Sequence, residues 1–175
     1  ATIEIANNTI SYNTVGLHRD GGGIHLEGCS GSIHDNTISN NYLDDGQGGG
    51  LYLNNNGSIT LSGNTISGNT SGAQRGGGVY INNSPATLTG NTISGNDGGD
   101  DGGGLSIHNS NVTLTRNTIS GNSAFSGAGL ILVNSDNATL SCNTISGNTS
   151  WAGGGVYLQQ SDATLTNNII ADNEA

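Results

Sequence analysis

The stretch Ser62–Asn69, read SGNTISGN, holds one isoleucine between two asparagines five positions apart. Near-copies recur as NTISYN from Asn8, NTISNN from Asn36, NTISGN from Asn91, Asn117 and Asn143, and NIIADN from Asn168. The first asparagines stand 28, 28, 27, 26, 26 and 25 residues apart. A fixed period of this length marks a stacked repeat architecture, in which each unit is too small to bury its apolar face alone.

Two further landmarks keep the same period. A glycine triplet leads an alternating segment A, with apolar pairs Ile24/Leu26, Leu51/Leu53, Val79/Ile81, Leu105/Ile107, Leu130/Leu132 and Val156/Leu158. Segment B precedes the asparagine, with pairs Ile3/Ile5, Ile59/Leu61, Ala86/Leu88, Val112/Leu114, Ala138/Leu140 and Ala163/Leu165. Segment C is the Thr-Ile-Ser stretch and offers one inward residue per unit: Ile10, Ile38, Ile66, Ile93, Ile119, Ile145 or Ile170. Alternation at period two predicts strands, and no segment carries a helical period. Three strands and three turns in 25–28 residues predict an all-β, parallel β-helix of six to seven coils, spanning residues 1–175 as a single solenoid domain. About five buried aliphatics give one coil on the order of 10 kcal/mol. Ordering about 25 residues costs more, so a coil folds only against its neighbours.

The asparagines find a structural role in this scheme. An amide both donates and accepts, so Asn64 and its equivalents can bond to one another up the corner between segments B and C. Asn69 and its equivalents are expected to end segment C as turn caps that tolerate unusual dihedrals. The leading glycines are expected to supply positive φ and close packing.

The glycine-triplet strand followed by an asparagine-terminated strand resembles the polymorphic outer-membrane protein repeats of bacterial autotransporters. It is also similar to the NTISGN-rich β-helix regions of large bacterial surface proteins. The resemblance covers the whole chain and implies right-handed coiling and an extracellular or cell-surface setting. It implies no single activity, because the repeats encode scaffold.

Composition narrows the partners. The chain has no lysine, three arginines (Arg19, Arg75, Arg116) and a formal net charge of −10. That charge repels phosphate, which argues against nucleic acid and anionic membranes. No stretch is long and apolar enough for membrane insertion. The chain opens in a segment B and closes after a segment C with no capping helix, so the expectation is a segment of a longer protein or a subunit capable of end-to-end self-association.

Function is expected on outward columns and in the variable loop between segment C and the glycines. The first candidate is a hydroxyl face: Thr60, Thr87, Thr89, Thr113, Thr115, Thr139, Thr164 and Thr166 on segment B, and Thr65, Thr92, Thr118 and Thr144 on segment C. Such Thr-x-Thr ranks resemble the ice-binding faces of solenoid antifreeze proteins. The plain alternative is that threonine suits an exposed strand. The second candidate is an exposed aromatic patch of Tyr52, Tyr80 and Tyr157 on segment A with Phe125 and Trp151 in the loops, able to stack on a glycan or anchor a host-surface protein. The third is the acidic loop Asp97, Asp100 and Asp101, with Asp44 and Asp45 two coils away. It offers a weak calcium site or a carboxylate pair for glycoside chemistry. His18, His25, His34 and His108 form no metal set by position, and Cys29 and Cys142, four coils apart, are expected to be free. Sequons at Asn56, Asn69, Asn111, Asn137 and Asn148 follow from composition. The expectation is a structural or adhesive scaffold without catalysis or cofactor. The alternatives are an ice-binding protein and a polysaccharide lyase or hydrolase.

Overall fold

The computed structural model describes residues 1–175, and it contains strands and turns but no helix. Three long parallel sheets run its length. The Thr-x-Leu sheet has seven strands, from Thr2–Ala6 to Ala163–Thr166. The Thr-Ile-Ser sheet has seven, from Thr9–Ser11 to Ile169–Ala171. The glycine-led sheet has six, from Ile24–Glu27 to Val156–Gln159. Each strand pairs with its equivalent one coil before and one coil after, which is the topology of a β-solenoid.

Register is set by the apolar positions, because a slip of one residue would turn every inward side chain to solvent. Ile66 lies opposite both Ile38 and Ile93, and Ile93 opposite Ile119. All four are fully buried, within one continuous core cluster of 23 residues. One strand escapes the alternation rule. Ser30–His34 pairs in the Thr-x-Leu sheet with Gly31 in an inward place, opposite Ile3 and Ile59. A methyl added there would sit 1.9 Å from the Ile3 carbonyl oxygen, so the backbones close up where an aliphatic is absent.

Every corner uses the same two-residue device. A residue with positive φ turns the chain, and the next residue bonds to its copy on the following coil. At the first corner the pair is Gly63–Asn64, with φ of 62° at the glycine. Asn91 shows the full pattern there. Its amide Nδ2 donates to Asn117 Oδ1 at 2.9 Å and to the Leu61 carbonyl at 3.0 Å. Its Oδ1 accepts from Asn64 N and Nδ2, each at 3.0 Å. All four bonding capacities of the side chain are filled. The ladder runs unbroken through Asn8, Asn36, Asn64, Asn91, Asn117, Asn143 and Asn168.

The second corner departs from expectation. Asn69 and its equivalents do not tolerate unusual dihedrals; the positive φ falls on the preceding residue, 62° at Gly68 and 54° at Asn40. Asn69 is instead wholly buried in a second ladder from Asn13 to Asn173. A third, shorter ladder closes the corner after the glycine-led strand. There Asn56 N donates to Ser84 Oγ, Ser84 N to Ser110 Oγ, and Ser110 N to Ser135 Oγ. The loop flank is also more ordered than a loop. Thr14–Val15, Tyr42–Leu43 and Thr70–Ser71 pair as one small sheet, and Ser123–Ser126 pairs with Thr149–Ala152.

Replacing Asn91 with alanine removes, in a dry interior, the side-chain acceptor of Asn64 N, one of the two acceptors of Asn64 Nδ2 and the amide donor to the Leu61 carbonyl. At about 1–3 kcal/mol for each buried unsatisfied group, Asn91→Ala is expected to cost at least about 3 kcal/mol. Asn8→Ala, at an exposed rung whose Oδ1 accepts nothing, should cost under about 1 kcal/mol. Urea midpoints of the two variants check this, and equal losses would contradict the ladder's role.

Candidate functional site

The hydroxyl candidates form columns in register. Thr60, Thr87, Thr113, Thr139 and Thr164 face one another across five successive coils, and all are exposed. Beside them runs the half-exposed column of Ser62, Thr89, Thr115 and Ser141, ending at Thr166. On the adjoining sheet Thr9, Thr37, Thr65, Thr92, Thr118 and Thr144 make a six-member column. Rows therefore repeat at about 4.8 Å along the axis and about 6.7 Å across it.

The aromatic candidates divide into two groups. Tyr52 and Tyr80 point outward from the glycine-led sheet yet are only 9% and 5% exposed, so the expectation of an open tyrosine patch is corrected. The cause lies in the glycines. Gly76, at φ 71°, folds back over the outward side chain so closely that a methyl on it would meet the Tyr80 Cβ at 2.8 Å. Tyr52 and Tyr80 stack with centroids 5.5 Å apart, flanked by tilted contacts to the exposed His25 at 4.6 Å and to the buried His108 at 5.3 Å. Burial pushes the Tyr52 hydroxyl up to about 12, and raises Tyr80 as well. Tyr157 is half-buried farther along.

Phe125 and Trp151 are different. They stand on the loop flank at 60% and 79% exposure, with rings 6.3 Å apart and 2° from parallel. Pairing of Ser123–Ser126 with Thr149–Ala152 fixes both rings on neighbouring coils.

The same flank carries a polar hollow of about 400 Å³, lined by His18, Asp20, Asp45, Gly46, Gln47 and Gln74. Its side chains are bonded to one another. His18 Nδ1 lies 2.8 Å from Asp45 Oδ2, Gln74 Nε2 donates to Asp45 Oδ1, and Gln47 N donates to Asp20 Oδ1. The acidic candidates do not converge. Asp101 pairs with Arg75 at 3.1 Å, Asp97 accepts the amide of Gly99 in its own turn, and no three acidic, histidine or cysteine side chains form a metal-holding group. Partial burial, opposed by Arg75, raises the Asp101 carboxyl. Asp44 accepts from the Tyr42 hydroxyl.

A model described as the right handed beta helix region matches residues 1–102 and again 49–175, which together span the chain. The chain belongs to the right-handed β-helix family. That family contains carbohydrate-active enzymes as well as proteins without catalysis, so membership fixes the scaffold and leaves the activity to the site. No curated protein and no solved structure matches the chain.

On this β-helix the remaining sequence candidates fall into place. Cys29 and Cys142 are free thiols, Cys142 occupying the positive-φ place of the first corner. The sequon residues Asn56, Asn69 and Asn148 are buried in ladders, whereas Asn111 and Asn137 are exposed. His34 bridges Asp35 at 2.9 Å and Glu4 at 3.2 Å, and these hydrogen bonds, Asp35 first, raise its pKa. Sequence reasoning missed the serine ladder and the burial of His108 against Ser106. The Asn-Ser signal after three of the glycine-led strands (Asn83–Ser84, Asn109–Ser110, Asn134–Ser135) pointed to the first. Nothing in local pattern pointed to the second.

His108 is buried, its Nε2 2.9 Å from Ser106 Oγ, and burial with the Arg75 charge lowers it to about 4. The folded value lies below the unfolded one, near 6.5, so the unfolded state binds more protons between them. Stability associated with this ring is full above about 6.5 and falls as pH drops toward about 4, by no more than about 3 kcal/mol after allowance for residual water. Urea midpoints at pH 7 and pH 4 should differ less in His108→Gln than in the unmodified protein. An unchanged difference removes His108 from the acid response.

Proposed function

We propose that this β-helix is a non-catalytic scaffold of the cell surface or extracellular space, acting in adhesion through its loop flank. One observation carries the reading: the exposed aromatic pair, the polar hollow and the acidic turn all lie on that one flank, while the two threonine-bearing faces repeat with little change. Loops set on a rigid frame can diversify without disturbing the core. The two carboxylates of the hollow support a binding role over a chemical one, because Asp45 and Asp20 are each taken up by neighbouring donors. The resemblance to autotransporter surface repeats supports the setting. The scaffold would hold a host-surface glycan or protein against the flank and needs no cofactor.

A second reading is favoured by the registered threonine columns. A rigid array of hydroxyls and methyls at two fixed spacings can order water into a lattice, which is ice binding.

Glycan-array binding by the intact chain is the test of adhesion, with loss of signal expected in the double variant Phe125→Ala/Trp151→Ala. Thermal hysteresis tests the second reading. Hysteresis abolished by Thr92→Tyr and Thr118→Tyr, with the array blank, would replace the first reading by the second. Turnover of a polysaccharide in a lyase and hydrolase panel would replace both.

A further inference from the structure

The Phe125–Trp151 pair is built into an acidic, hydroxyl-bearing surface. One column beside the rings reads Asp97, Ser123, Thr149, Glu174, each opposite the next across adjacent coils and all exposed. Phe125 N donates to the Gly99 carbonyl, and Ser126 N to that of Asp100. The coil before Phe125 therefore brings Asp97 and Asp100 alongside it, and the coil after Trp151 brings Glu174. Arg75, on the same flank, is already paired with Asp101. Aromatic faces attract C–H-rich rings and cations, and exposed carboxylates attract cations.

We propose that this surface binds an amino-sugar chain with free amines, its pyranose rings stacked on Phe125 and Trp151. Its ammonium groups meet Asp97, Asp100 and Glu174, and its hydroxyls meet Ser123 and Thr149. The inference rests on the loop-flank reading above and names its ligand. Two features select the ligand. The hydroxyl column suits a sugar better than a basic peptide, whose cations would engage only the rings and carboxylates. The acidic rim and the net charge of −10 oppose a polyuronate.

Trp151 is the only tryptophan and is exposed, so its emission reports directly on the site. Titration of the intact chain with glucosamine hexasaccharide should shift or quench that emission, and added salt should weaken the effect. Phe125→Ala should weaken binding roughly tenfold, and Asp97→Asn/Glu174→Gln should weaken it several-fold and flatten the salt dependence. Both variants alter exposed side chains, and an unchanged circular dichroism spectrum establishes folding. No response to the hexasaccharide overturns the proposal. So does equal binding of its N-acetylated form, of polygalacturonate or of an arginine peptide. The wider reading fails separately. Array binding to another glycan that Phe125→Ala abolishes keeps the flank and rejects the amino sugar. Array binding that Phe125→Ala/Trp151→Ala leaves intact rejects both.

Discussion

The buried asparagine amide is the constraint on which this molecule depends. A β-helix must turn sharply three times per coil, and each turn takes backbone N–H and C=O groups out of the sheets. In a dry corner those groups need partners. An asparagine at the turn supplies them, because its side chain fills two donors and two acceptors from the coils on either side. Asn91 and its copies do this in one column and Asn69 and its copies in another. Serine does a reduced version of the same work at the third corner, where Ser110 Oγ donates to the His108 carbonyl and accepts from Ser84 N.

This constraint explains the composition. Asparagine and glycine dominate because each corner needs a positive-φ residue followed by a ladder residue. The exceptions mark where the rule bends, as at Arg116 and Cys142, which hold φ of 54° and 57° in places where other coils use glycine. A side chain in that conformation carries a cost of about 1–2 kcal/mol, which the stacked neighbours absorb. The aliphatic content can be low because each coil needs only five inward positions and shares them with both neighbours.

Most of the fold was legible in the sequence because the repeat states the same local preference seven times. Period-two alternation placed Ile66 and Leu88 inward, and the spacing of Asn64 from Asn91 placed the first ladder. Two things were not legible. The second asparagine looks in isolation like a turn residue, and only the stacked backbone shows that its amide lies inside, with Gly68 taking the positive φ. Tyr52 and Tyr80 alternate as exposed residues should, and only the fold of Gly48 and Gly76 back over the strand hides them. The candidate site was half legible. Phe125 and Trp151 stood out as aromatics in loops of equal length, and their parallel rings follow from that equality. The hollow joins the loops of Asp45 and Gln74 to the loop of His18 and Asp20, which is one residue longer than either, and no local pattern encodes that fit.

The hydrogen bonds of all the sheets and ladders run along one axis, and the chain winds once around that axis per coil, its strands lying across it. Tension applied between the two chain ends therefore loads the coils in series and peels them rather than shearing them. Each coil released frees about 90 Å of slack for its roughly 26 residues, while the coils beneath keep their own ladders on one side. A molecule of this kind yields in steps and lengthens under load without losing the flank of the coils still closed.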